Sequence, residues 1–181
     1  LDGFFTDYKF WIASRNNREL LELDKIRPLA ITAILTAGDS VVLGKRAAEM
    51  IQDPGCWEFC PSGGIEPLCL SDNNRSIDVF RQVKVELEEE LEVSATLISR
   101  MTPLCLIEDS TAGVFDVCIE TELSVNSECL EKTLAHRSTR EYSEFRIVRR
   151  TELGNCAWKF GRITAELIEK LRIHRVVQDR G

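Results

Sequence analysis

The stretch Val85-Glu86-Leu87-Glu88-Glu89-Glu90-Leu91-Glu92-Val93 places five glutamates and no basic residue within nine positions. Residues three and four apart are neighbours on a helix, so Glu86, Glu89 and Glu90 share one face. Leu87 and Leu91 point about 100° away from Glu86 and Glu90, toward a core. Glu88 and Glu92 fall on a third side. Upstream, Val79, Phe80 and Val83 extend the apolar stripe at helical spacing, which predicts a helix capped by Ser76 and running to about Leu91. Like charges one turn apart cost roughly 0.2–0.5 kcal/mol per pair. Acids near a helix C-terminus oppose the dipole by about 0.3–1 kcal/mol. A surface helix tolerates such costs, so the charge alone reads first as a solvated face.

What precedes the helix sharpens the reading. Leu29–Leu35 (LAITAIL) and Ser40–Arg46 (SVVLGKR) read as two strands of a hairpin around the turn signal Gly38-Asp39. Cys56–Cys60 (CWEFC) is a short strand that runs into Pro61-Ser62-Gly63-Gly64-Ile65-Glu66. Two glycines there permit backbone paths closed to other residues. Pro67–Asn74 reads as a loop. Beyond the acidic helix, Thr96–Ile107 and Gly113–Glu122 are predicted strands, Ser127–Ala135 a helix, Phe145–Val148 a strand and Thr164–Ile173 a closing amphipathic helix. Strands, one central helix, strands and then helices imply an α/β domain with a mixed sheet and helices on its faces. Residues 28–181 form that domain. Residues 1–27 are an N-terminal extension with a predicted strand at Tyr8–Ala13 (YKFWIA) and a helical turn at Arg18–Leu23.

A strand, a Gly-Gly loop and a helix carrying Glu-x-x-Glu-Glu resemble the Nudix hydrolase family, whose signature is G-x5-E-x7-R-E-U-x-E-E-x-G-U, with U apolar. Glu86 to Val93 matches E-U-x-E-E-x-G-U except at the glycine. The resemblance covers about Leu29 to Leu153 and implies a Nudix-like α/β/α sandwich. There are departures. Counted from Gly64, the signature expects Glu at 70 and Arg-Glu at 78 and 79, where this chain has Leu70, Asp78 and Val79. The acidic cluster comes seven residues later, so the intervening loop is longer by seven. Val85 stands where the family has Arg, and Glu92 where it has Gly.

The resemblance implies a Mg²⁺-dependent pyrophosphohydrolase, with Mn²⁺ as an alternative ion, acting on a nucleoside diphosphate linked to another moiety. The departures leave open a nucleotide-binding module of the same fold with impaired catalysis. By the same resemblance Glu86, Glu89 and Glu90 are the metal ligands, with the carbonyl of Gly64, and Glu89 and Glu90 are catalytic. Glu144, in the loop expected before the late strand, is the favoured general base, with Glu141 as second candidate. Arg46 is read as a phosphate contact, Trp57 and Phe59 as platforms for a base, and Arg81 as a weak substitute for the missing arginine. Ordinary core or surface roles stand beside each of these.

Composition bounds the partners. The 181 residues carry a formal net charge of −7, with 44% hydrophobic and 29% charged residues. That suits a globular domain and a small-molecule nucleotide ligand; a nucleic-acid partner is not expected, since phosphate backbones demand a basic surface. No apolar run approaches the ~20 residues of a membrane helix, so no membrane association is expected. Seven cysteines with no C-x-x-C spacing read as reduced thiols and hence a cytoplasmic protein. His136 and His174 lie in charged helical contexts and are expected to be exposed. The N-terminal strand leaves room for a homodimer. The chain opens on Leu1 rather than Met, which leaves room for an upstream region.

Overall fold

A computed structural model describes residues 5, 8–17, 27–71, 76–135 and 137–178. Seven strands form one sheet: β1 (Leu29–Ala37), β2 (Ser40–Arg46), β3 (Trp57–Phe59), β4 (Ser62–Gly64), β5 (Ile98–Asp109), β6 (Val114–Leu123) and β7 (Tyr142–Arg149). The α-helices among the described residues are α1 (Tyr8–Asn16), α2 (Val79–Leu91), α3 (Ser127–Leu134) and α4 (Arg162–Gln178). β1 runs parallel to β6 along its whole length, and β5 pairs antiparallel with β6 at the far edge. The hairpin expected from Gly38-Asp39 is present, but β1 and β2 pair only at its tip, through Thr36–Val41 and Ala37–Ser40. Past the tip the two strands part. β4 takes the freed edge of β1 at Ala30–Thr32, while β3 takes that of β2 at Leu43–Lys45. β7 pairs along the opposite edge of β2. The Gly-Gly segment is therefore a strand inserted at a fork in the sheet, not a free loop.

Two apolar layers close the sandwich. On one face, Leu87 and Leu91 of α2 and Leu130 and Leu134 of α3 pack on Leu35, Val42 and Tyr142. Val83 completes this face over Ile31, Ala33 and Ile119. On the other face, Leu167 and Ile168 of α4 pack on Ile34, Val41, Leu43, Trp57, Phe59 and Cys118. Alternation along β1 sends Ile31, Ala33 and Leu35 to the α2 face and Ile34 to the α4 face, as a pleated strand buried on both sides requires. The result is the Nudix-like α/β/α sandwich with a mixed sheet. Among the described residues no helix is long and apolar enough to cross a membrane.

Three further details differ from the sequence expectations. Tyr8–Ala13 belongs to helix α1, not to a strand. A short apolar run does not declare its period, and both edges of β1 are already occupied by β6, β4 and β2. The run instead buries Trp11 against Ala112 and Val114. The cap of α2 is Asp78 rather than Ser76: its carboxylate accepts the N–H groups of Phe80 and Arg81 at 3.0 and 3.1 Å. β7 begins at Tyr142, three residues before the predicted strand. His136 and the Arg18–Leu23 turn lie outside the described residues, as does the side chain of His174.

Candidate functional site

The fork places β3, β4 and the start of β7 opposite the C-terminal half of α2. Glu90 is buried, and its Oε2 accepts the Ser62 N–H of β4 at 3.2 Å. Glu86, one turn earlier, lies flush against Gly63, where a Cβ would overlap its carboxylate. Gly63 is thus the glycine the packing demands; a Cβ on the exposed Gly64 would meet nothing. Glu86 Oε1 accepts a hydrogen bond from Gln82 Nε2 at 2.7 Å. Glu89 stands at the exposed rim of the same helix face.

Beneath the two glutamates lies a polar network that the sequence reading missed. Glu58 sits between Trp57 and Phe59, and strand alternation turns it to the α2 face while the aromatics face α4. Its Oε1 accepts from Arg46 Nη1 at 3.0 Å and from the Tyr142 hydroxyl at 3.0 Å. The Ser62 hydroxyl lies 3.2 Å from that of Tyr142 and links the network to β4. Arg46 Nη1 also pairs with Glu141 Oε2 at 3.3 Å, just before β7. One guanidinium therefore serves two carboxylates, and its Nε is buried without a partner among the described residues.

Charge is uncompensated here. Burial, reinforced by the negative charges of Glu141, Glu66 and Glu89 and only partly offset by the Gln82 bond, lifts Glu86 to about 7. Burial and the charges of Glu141 and Glu86 push Glu90 up to about 10 against the Ser62 N–H, which favours ionisation. Burial also raises Glu58 above the ordinary carboxylate value despite Arg46 and Tyr142. Burial works against the Arg46 charge, but Glu58, Tyr142 and Glu141 outweigh it and raise that group too.

Several predicted site residues lie elsewhere. Trp57 and Phe59 are 7% and 0% exposed, and Trp57 stacks on Trp158 at 4.8 Å. They are core, with no face left for a nucleotide base. Arg46 is 9% exposed and committed to Glu58 and Glu141, so it clamps the network and does not reach outward to phosphate. Arg81 is exposed and makes no ion pair among the described residues. Glu144 lies within β7, opposite Lys45, and bonds Arg146 Nε at 2.7 Å. Phe145 and Ile147 pack on the α2 face and Val148 on the α4 face, so alternation turns Glu144 away from Glu86 and Glu90. A register shift between Lys45 and Arg46 lets Tyr142 join the α2 face regardless. The acid beside the glutamates is Glu141.

The described ends of the longer loop meet ahead of α2. Asp78 N–H donates to Cys69 O at 2.8 Å, and Ser71 N–H to Ser76 O at 2.9 Å. Leu70 and Ile77 form an isolated bridge. Residues 69–71 are thus paired with residues 76–78 just before α2.

The donor set suits a hard divalent cation. Carboxylate oxygens on one helical turn, with waters and ligand phosphates, meet the octahedral demands of Mg²⁺. Among the described residues no three acidic, Cys or His side chains stand close enough together to hold an ion by themselves. Glu86 and Glu90, one turn apart on α2, are the carboxylates that could contribute to such a site, with water and ligand oxygens completing the shell.

No protein-family model matches the chain. No curated protein matches it either. Solved structures do. The Nudix domain of Shewanella oneidensis NrtR, complexed with ADP ribose, superposes with a TM-score of 0.59 at 17% identity, over 93% of this chain and 99% of that one. DR0079 from Deinococcus radiodurans gives 0.58 at 15% identity, over 80% and 82%. A MutT Nudix hydrolase from Burkholderia pseudomallei gives 0.53 at 19% identity, over 80% and 97%. At these identities the likeness is one of architecture, and the architecture of this chain is the Nudix fold.

Proposed function

We propose that the chain is a Nudix-fold module that binds a nucleoside diphosphate derivative through a divalent cation, Mg²⁺ with Mn²⁺ as substitute, held by Glu86 and Glu90 with Glu141. The observation that carries this is that Glu86 and Glu90 share one buried helix face with the charge of Glu141 beside them, while the guanidinium of Arg46 is taken by Glu58 and Glu141, so that Glu86 is raised to about 7 and Glu90 to about 10. At neutral pH such a site keeps protons or takes a cation. A cation at that point would in turn attract the diphosphate that an acidic protein otherwise repels. Glu89, at the rim of the same face, would contact the ion through water. The Nudix-domain structure with ADP ribose makes a nucleoside diphosphate linked to a second group the natural ligand class to try.

Hydrolysis of the bound diphosphate is a second reading, favoured by Glu141. Its charge bears on both Glu86 and Glu90, whereas β7 turns Glu144 away from them, so Glu141 would be the general base. A bound Mg²⁺ would supply charge neutralisation and a more acidic water.

Calorimetry with ADP-ribose, nucleotide sugars and dinucleoside polyphosphates tests the binding. Affinity is expected to depend on Mg²⁺ and to fall at least tenfold in Glu86→Gln and Glu90→Gln. Binding that survives chelation and both substitutions would sink the reading. Release of monophosphate, lost in Glu141→Gln and kept in Glu144→Gln, would establish hydrolysis as well.

A further inference from the structure

We propose that Gln82 is the positioning residue of this site: its buried side-chain amide fixes the Glu86 carboxylate and ties it to the segment after β4. The inference rests on the divalent-cation reading above. Gln82 is fully buried, which is uncommon for glutamine. Its Nε2 donates to Glu86 Oε1 at 2.7 Å. Its Oε1 accepts the Glu66 N–H at 3.0 Å and the Cys69 S–H at 2.9 Å.

These contacts decide the amide's orientation. With two donors aimed at Oε1, a flip would set the NH₂ group against the Glu66 N–H and turn Oε1 onto the Glu86 carboxylate. Both would be buried mismatches, each costly to leave unmade. The donor therefore faces Glu86, and Gly63 closes the opposite side of that carboxylate. Holding one carboxylate oxygen sets the direction of the other. Val85 supplies no cation or donor on α2 for this purpose, and Gln82 supplies a neutral one a turn before Glu86. A neutral donor orients the glutamate without adding positive charge beside an incoming ion.

The test is Mn²⁺ binding to the whole chain, measured by titration calorimetry, in wild type, Glu86→Gln, Gln82→Met and Leu167→Ala. Gln82→Met keeps the buried volume and removes the hydrogen bonds. Leu167, buried beneath α4 on the opposite face, controls for lost stability alone. Gln82→Met is expected to bind Mn²⁺ 10–100-fold more weakly, the usual effect of removing a partner of a metal ligand, with Leu167→Ala within about twofold of wild type. A folded Gln82→Met that binds like wild type overturns the proposal and leaves the cation site standing. Equal weakening in Gln82→Met and Leu167→Ala overturns it as well, by showing a merely structural role. If wild type binds no Mn²⁺, or Glu86→Gln binds as well as wild type, the cation site itself falls and Gln82 with it. Should Gln82→Met fail to fold, wild type labelled with ¹⁵N in its three glutamine side chains decides. The slowly exchanging amide of Gln82 is expected to shift on adding Mg²⁺, and an unmoved resonance overturns the proposal.

Discussion

Every residue other than glycine carries a Cβ, and the site has no room for one at Gly63. A Cβ there would overlap the Glu86 carboxylate, while one on Gly64 would meet nothing. Gly63→Ala is therefore expected to displace Glu86 and weaken Mn²⁺ binding at least tenfold, with Gly64→Ala changing it less than twofold; calorimetry reads both. The helical face of Glu86, Glu89 and Glu90 was legible from spacing, because period alone defines it. Which of the three is buried was not, since burial depends on β4 lying against α2. Glu58 was overlooked for a related reason. The aromatics beside it draw attention, yet a strand sends neighbours to opposite faces, and only the sheet shows which face holds the site.

At the scale of elements, α2 carries acids at its C-terminal end, where the dipole disfavours them. Arg137 answers this, with Nη1 donating to Leu91 O at 3.1 Å and to Glu92 Oε2 at 2.6 Å. Glu88 Oε1 accepts the Ala95 N–H at 2.9 Å, so both glutamates outside the cation face secure the helix exit. Glu92 takes a left-handed conformation with φ 51°. For a side-chain-bearing residue that costs about 1–2 kcal/mol, against roughly 0–1 kcal/mol for its exposed ion pair. Glu92→Gly is expected to raise stability by about 1 kcal/mol or less, a rise of a few degrees in Tm by thermal unfolding. The inserted residues give a second prediction. Because Cys69 and Asp78 are already hydrogen-bonded, replacing residues 70–77 by one glycine restores the shorter spacing without moving α2. Loop shortening of this size changes closure entropy by about 1–2 kcal/mol at most, so Tm is expected to stay within about 6 °C. Loss of cooperative unfolding in that variant would show that the excursion holds α2 in place.

For the whole molecule, the crowded carboxylates make stability depend on pH and on cations. A carboxylate whose pKa is raised on folding holds a proton that the unfolded chain has released. Between its ordinary value of 4.5 and its folded value, unfolding therefore releases protons, and stability falls as pH rises. The window runs to about 7 for Glu86 and to about 10 for Glu90. Burial raises Glu58 and Asp116 as well, which adds to the same slope. In urea unfolding with chelator present, the chain is expected to be less stable at pH 8 than at pH 5. Mg²⁺ is expected to restore stability at pH 8, where it replaces the lost protons, and to act little at pH 5. A flat profile, or a cation effect unchanged in Glu86→Gln/Glu90→Gln, would contradict this account of the site.

The sequence by itself determined the α/β class, the amphipathic character of α2, most strands and the acidic face, because these follow from local period, turn residues and residue chemistry. It placed Tyr8–Ala13 in a strand, since six residues of mixed apolar character carry too short a period to decide. Only the tertiary structure decided that β1 and β2 fork to admit β4, that Arg46 is consumed by Glu58 and Glu141, and that Glu141 rather than Glu144 meets the helix. Those outcomes depend on strand register and on which long-range partners are within reach. A one-residue shift in β7 exchanges the faces of its side chains, and nothing local in the sequence records that shift.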